Sequence, residues 1–141
     1  VTSTAVWMFV AVRHVEDRVL EHLWTGGYDD LTLAQARMAA RLDESGMRLT
    51  ELAAAAQVTK QTAGFLVDQL ERAGYVRREP DPRDARARLI RLADRGLRAR
   101  ERAREIEAIV ESEWEQHLGV ERMEALRAAV LDLRELTDPW N

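Results

Sequence analysis

The stretch that decides the fold is RLTELAAAAQVTKQTAGFLVDQLERAGYVRREPDPRDARARLIRLADRG, residues 48–96. Its first half reads as two short helices, residues 50–56 and 59–73. The Thr59 hydroxyl is placed to accept the backbone N–H of Gln61 or Thr62 and so cap the second helix. Gly74 ends that helix, because glycine tolerates the left-handed conformation common just past a helix terminus. Ala63, Leu66, Val67 and Leu70 form one apolar stripe along it. Leu52, Ala53 and Val58 complete a small core shared by the two helices.

The opposite face of the second helix is polar. At about 100° per residue, Gln61, Gly64, Phe65, Asp68 and Arg72 point away from the stripe, with Lys60 and Thr62 beside them. A first turn showing Thr59, Lys60, Gln61 and Thr62 suits reading of a DNA major groove. Gln pairs with adenine, Lys with guanine or phosphate, and Thr with a base edge or phosphate. Gly64 costs the helix about 1 kcal/mol against alanine. Two gains offset that equally well on sequence grounds: close approach of a DNA strand, or close helix–helix packing. Phe65 has two readings as well, a contact with a thymine methyl or a fold back against the segment that follows.

After Gly74 the pattern changes from helix to strand. Residues 75–79 and 88–92 flank PDPRDARA, whose two prolines and two aspartates read as a loop. The result is a β-hairpin with an arginine-rich tip. A two-stranded hairpin is marginal alone, so it must lean on the helices before it. A helix-turn-helix followed by such a hairpin is a winged helix.

Outward from this centre the chain is helical. A first helix fits residues 5–24, ended by Gly26 and Gly27, and a second fits residues 32–43, closed by Ser45 and Gly46. On the far side a highly charged helix spans residues 94–118, Gly119 breaks it, and a last helix spans residues 120–136. The apolar stripe of the last helix has little left to bury against within a small wing domain; together with the first helix it reads as an interface between two chains, the alternative being that both helices pack within one subunit.

Composition narrows the function. The 141 residues fit one domain with a full core. No cysteine is present, which excludes disulfides, zinc–thiolate sites and thiol redox sensing. No apolar run reaches the roughly 20 residues that cross a bilayer, and the chain reads as cytoplasmic, with no membrane partner. The net charge of −4 hides an uneven distribution: residues 59–104 hold 13 Lys or Arg against 7 Asp or Glu. A basic middle in an acidic chain suggests a polyanion-binding surface, although arginine-rich helices also occur as plain solvated faces. No phosphate loop, nucleophile elbow or paired acid–base motif is found, so an enzyme is not expected. With only His14, His22 and His117 available, no metal site and no cofactor are expected; His14 and His22 with Glu21 or Asp17 are the nearest approach to one.

The block LVDQLERAGYVRREPDPRDARARLIRLADRG resembles the MarR (multiple-antibiotic-resistance regulator) family. The features that carry the resemblance are Leu70, Gly74, Arg78, Asp81-Pro82-Arg83-Asp84 with Arg86, Leu92 and Gly96. LTLAQARMAARL looks like the family's helix before the DNA reader. The chain departs from the family pattern where the first wing arginine is Ala85, with Arg83 and Arg88 nearby to compensate. It departs again where the usual threonine near Gly96 is Ala93, which leaves helix capping to Asp94.

The resemblance implies a mainly α fold with a small β-hairpin over residues 1–141, a winged helix-turn-helix at 31–96, and dimerisation helices at 4–26 and 97–137. It implies a double-stranded DNA-binding transcription regulator, a ligand-responsive repressor acting as a homodimer on a palindromic operator. Thr59, Lys60, Gln61, Thr62, Gly64 and Phe65 would enter the major groove. Arg78, Arg83, Asp84, Arg86 and Arg88 would serve the wing, with Asp84 orienting Arg86 toward a minor groove whose negative potential attracts arginine. Many relatives respond to small aromatic or phenolic ligands held between the wing domain and the dimer helices. Trp7, Arg13, His14, Trp24, Tyr28 and Met38 are the candidates for such a pocket here, although each taken alone reads more readily as core, interface or surface. The alternative function is a winged-helix module that binds another protein and has no specific DNA affinity.

Overall fold

The structure, a computed structural model, describes residues 1–138. Along them run α1 (Thr4–Thr25), α2 (Leu33–Ala40), α3 (Leu49–Ala55), α4 (Lys60–Arg72), β1 (Val76–Asp81), β2 (Asp84–Leu92), α5 (Asp94–Leu118) and α6 (Val120–Thr137). α3 and α4 form the helix-turn-helix. Its turn is made at Gln57, whose φ of 58° lies in the left-handed region that side chains other than glycine adopt reluctantly.

α4 forms where capping and periodicity place it. The Thr59 hydroxyl accepts the Thr62 N–H at 3.1 Å, and Gly74 takes φ 84° just past the helix end. Ala63, Leu66, Val67 and Leu70 are all buried, so the stripe read from the sequence is the packed one. They join Met38, Leu52, Tyr75 and Ile90 in one apolar core beneath the helix-turn-helix and the hairpin. Buried Gln35 links two elements here. It completes a capping box with Thr32 at the start of α2, and its side-chain amide donates to Gln69 of α4 at 3.1 Å.

The hairpin leans on this core in two ways. Met47 exchanges both backbone hydrogen bonds with Ile90, adding a short third rung beside β2. At the other end, the Ala93 N–H donates to the Tyr75 carbonyl at 2.9 Å. A Cβ on Gly96 would lie 2.1 Å from that same carbonyl, so only glycine lets α5 start this close to the hairpin.

Three sequence expectations need correction. α2 stops at Ala40 rather than running to residue 43; Leu42 is still buried, but from the turn that follows, and apolar spacing alone cannot separate the two cases. The hairpin strands extend much further than residues 79 and 88, leaving only Pro82 and Arg83 between them. Pro80 is tolerated because β1 pairs on one side only and is an edge strand. The ladder passes from Pro80↔Arg88 directly to Asp81↔Asp84, so Ala85, Arg86 and Ala87 are extra residues bulged out of it. Asp94 does not cap α5: the N-cap is Ala93, no side chain bonds there, and Asp94 sits in the first turn, where its charge suits the helix dipole.

α1 lies along α5. Arg18 forms a two-pronged pair with Glu113 at 2.8 and 3.1 Å, and Arg102 donates to the His22 carbonyl at 2.7 Å. α6 folds back on α5, where Arg127 meets Glu111 and Glu115 at 3.6 and 3.5 Å. Much of α1 and α6 nevertheless stays bare. Val6, Trp7, Phe9, Val130, Leu131 and Leu136 are all exposed. Among the described residues no helix is long and apolar enough to cross a membrane.

Candidate nucleic-acid interface

The outward face of α4 is open. Lys60, Gln61 and Thr62 are exposed. Among the described residues neither Lys60 nor Gln61 has a side-chain partner, so both present free donors and, for Gln61, an acceptor. Phe65 is 60% exposed and does not fold back against the wing. At Gly64 an added Cβ would meet only Leu49 Cδ2 at 3.7 Å, an ordinary contact. Helix packing within the chain therefore does not require glycine there.

The wing presents its arginines unequally. Arg86 stands on the bulge with 92% of its side chain exposed. The Asp84 carboxylate accepts both its backbone N–H at 3.1 Å and its Nε–H at 3.2 Å, which aims the guanidinium outward. Arg83 is also largely free, 78% exposed and 3.6 Å from Asp81. Arg88 is exposed and donates weakly to the Arg78 carbonyl at 3.4 Å.

Arg78 departs from its expected role. Its guanidinium donates to Glu71 at 2.8 Å and to Asp68 at 2.7 Å, and its backbone N–H donates to Glu71 at 3.1 Å. Two carboxylates of α4 thus occupy it, and it clamps β1 to the recognition helix instead of standing free for phosphate. The pairing holds the Arg78 guanidinium above its usual pKa despite the burial that opposes this.

Two sets of long-range contacts escaped sequence reading. Asp81 is fully buried at the wing tip and bound by Arg48, at 2.9 Å from Nε and 2.8 Å from a terminal nitrogen. The Arg83 backbone N–H and Arg48 together hold its carboxyl below the usual value of 3.8. A second knot joins the wing domain to the long helices. Asp30 accepts the Tyr75 hydroxyl and both terminal nitrogens of Arg95, at 3.0 and 3.2 Å. Arg95 also bonds the Ala73 carbonyl at 2.6 Å and covers the Tyr75 ring at 4.3 Å. Sequence separations of 33, 45 and 65 residues leave no local signal for these pairs.

This arrangement has close relatives. The family model described as "MarR family" matches residues 29–87. The transcriptional regulator HosA of Escherichia coli O111:H- is 35% identical over 102 residues, covering 72% of this chain and 76% of that protein. The chain belongs to the MarR family. It is therefore a transcription regulator and not an enzyme. The fold agrees with solved MarR-family structures. Wild-type apo MarR from E. coli superposes with a TM-score of 0.72 at 18% identity, covering 94% of this chain and 98% of that one. A MepR variant of S. aureus bound to an oligodeoxyribonucleotide superposes with a TM-score of 0.61 at 23% identity, covering 95% and 98%.

In this MarR-family chain the six candidate effector residues are not brought together. Met38 is buried in the core at 1% exposure, and Trp7 stands free near the start of α1. Arg13 pairs with Glu16 and Asp17 on its own helix, and His14 is exposed. The Trp24 indole donates to the Leu31 carbonyl at 2.8 Å, and Tyr28 packs against Tyr75 with ring centroids 6.3 Å apart. A cavity of about 480 Å³ lies elsewhere, between α1, α2 and α5, and none of the six lines it. Its apolar walls include Val19, Leu23, Leu31, Leu42 and Ala99, and its charged edge holds Arg100 and Arg104 beside Asp43, Glu44 and Glu107. Burial lowers the Arg100 pKa and raises that of Glu107. Among the described residues no group of three or more His, Asp or Glu is placed to hold a metal ion.

Proposed function

We propose that this MarR-family regulator is a ligand-responsive repressor that binds a palindromic operator in duplex DNA as a homodimer. The observation that carries the reading is the pair of free reading groups on one rigid body: the open first turn of α4 and the outward Arg86 of the wing. Thr59, Lys60, Gln61 and Thr62, with Gly64 allowing close approach, read the major groove of one half-site. Arg86, aimed by Asp84, enters the adjacent minor groove, and Arg83 and Arg88 neutralise phosphates beside it. The DNA in the MepR variant's structure is consistent with this use of the fold.

The dimer is supported by the bare apolar faces of α1 and α6, which hold large side chains in water unless a second copy covers them. A two-fold dimer demands an inverted repeat, with half-sites about one helical turn apart. The cavity between α1, α2 and α5 is of the size that small ligands fill. A small aromatic acid or phenol suits its apolar walls and its arginines, and its binding would change the spacing of the two reading heads and release the operator.

Selection from a random-sequence duplex pool tests this reading. Enrichment of an inverted repeat is expected, with Gln61→Ala relaxing preference at one base pair by about 1–3 kcal/mol. Arg86→Ala should weaken every duplex and flatten the salt dependence. Enrichment of no sequence, with both variants binding as the parent does, would favour the protein-binding alternative.

A further inference from the structure

We propose that Asp81 is the positioning residue of the wing: a buried carboxylate that, through Arg48, fixes where Arg86 meets DNA. This rests on the DNA-binding reading above and adds a residue that touches no DNA itself. The Asp81 side chain is wholly inaccessible, although it sits at the tip of a charged hairpin. Burying a carboxylate is costly unless it is paired, and a buried pair is poor value for stability alone compared with an apolar contact. An exposed aspartate would make the same tight turn.

What the burial adds is a fixed connection. Arg48 is the N-cap residue of α3, and its neighbour Met47 is paired with Ile90 of β2. Asp81 thus ties the far end of the hairpin to the start of the helix-turn-helix, while Met47 ties its middle. The same carboxylate accepts the Arg83 N–H at 2.9 Å, which sets the turn. Asp81 is also the ladder partner of Asp84, and Asp84 holds Arg86 by two hydrogen bonds. A continuous series of contacts therefore runs from α3 through Arg48, Asp81 and Asp84 to Arg86. Arg86 lies on a bulge outside the ladder, so no backbone pairing of its own locates it.

The probe is the duplex that the parent protein selects best from a random-sequence pool. Dimethyl sulfate reports the major groove and hydroxyl radical the minor groove. The parent should protect both. Asp81→Asn, and separately Arg48→Gln, should lose the minor-groove protection while the major-groove protection stays. Each should bind roughly tenfold more weakly, the scale of one lost DNA contact. Combined with Arg86→Ala, the total loss should stay near tenfold, not the roughly hundredfold of independent sites. A merely structural role would weaken both grooves together and would multiply with Arg86→Ala.

Retained minor-groove protection in either folded variant, or losses that multiply, overturns the proposal. If Asp81→Asn does not fold, Arg48→Gln decides alone on the same two readouts, because Arg48 is partly exposed. A parent that selects no duplex overturns the DNA-binding reading, and the positioning role falls with it. A parent that footprints normally beside unaltered variants overturns the positioning role only.

Discussion

The winged helix-turn-helix and the terminal helices solve the same burial problem differently. Between Leu31 and Leu92 nearly every large apolar side chain finds a neighbour in the same chain, and the core there is continuous. Buried Gln35 and Asp81 within it are both fully partnered. In α6 the single buried residue is Met123, and in α1 only Leu20 and Leu23 are buried, at the end nearest the wing domain. The first region is complete within one chain. The second has its hydrogen bonds and ion pairs but lacks a covering for its apolar face. On the proposed reading this is a division of labour: the reading surface needs only local architecture, whereas placing two readers at a fixed spacing would need a second copy.

The largest expected effect comes from attacking the bare region. Val130→Glu with Leu131→Glu should turn a dimer into a monomer by sedimentation and cost at least about a hundredfold in duplex affinity, because two linked readers become one. The helical circular dichroism should stay close to the parent's. A monomer that unfolds would show that the wing domain is not self-sufficient.

Next is the complete region. Leu70→Ala removes a side chain that is 1% exposed beneath α4. It should cost about 2–5 kcal/mol in denaturant unfolding, with dimer assembly retained below the transition. Loss of the dimer first would mean that the two regions are one cooperative unit.

Gly64→Ala separates stability from reading within a single helix. Space for the added methyl is present, so the fold should gain up to about 1 kcal/mol from helix propensity. DNA affinity should fall, because the methyl intrudes on the approach. Affinity unchanged or improved would remove Gly64 from the interface.

The smallest effect is at the joint between the regions. Burial alone would raise the Asp30 carboxyl, but the Tyr75 hydroxyl and the Arg95 guanidinium outweigh it and hold it below 3.8. A carboxyl depressed in the folded state contributes stability above its unfolded value and loses that contribution as pH falls through its folded one. Unfolding midpoints should therefore fall from about pH 5 downward, and Asp30→Asn should flatten that slope. An unaltered slope would place the acid sensitivity elsewhere.

Most of the fold was legible because its signals are local. Thr59 capping, the Ala63–Leu70 stripe and the Gly74 stop each act within one helix. The Asp84–Arg86 pair spans two residues and was also readable. The misreadings share a cause. Leu42 continues a helical spacing while lying outside the helix. Pro80 signals a loop unless the ribbon has a free edge to receive a proline. Arg78 looks like any wing arginine until Asp68 and Glu71 are seen beside it. The Arg48–Asp81 and Asp30–Tyr75–Arg95 contacts join residues far apart in the chain, so no spacing rule could reveal them. The pocket candidates missed this cavity for a related reason: aromatic residues were favoured, whereas its apolar lining is mostly aliphatic, with Val19, Leu23, Leu31, Leu42 and Ala99 brought together from segments far apart in the chain.

The most direct test of the central claim is sedimentation of the protein with a fluorescent duplex carrying its selected sequence, repeated at two salt concentrations. Two chains per duplex, with affinity falling steeply as salt rises, is the predicted result. One chain per duplex, or binding indifferent to salt, would contradict a dimer that reads DNA through its basic wing domains.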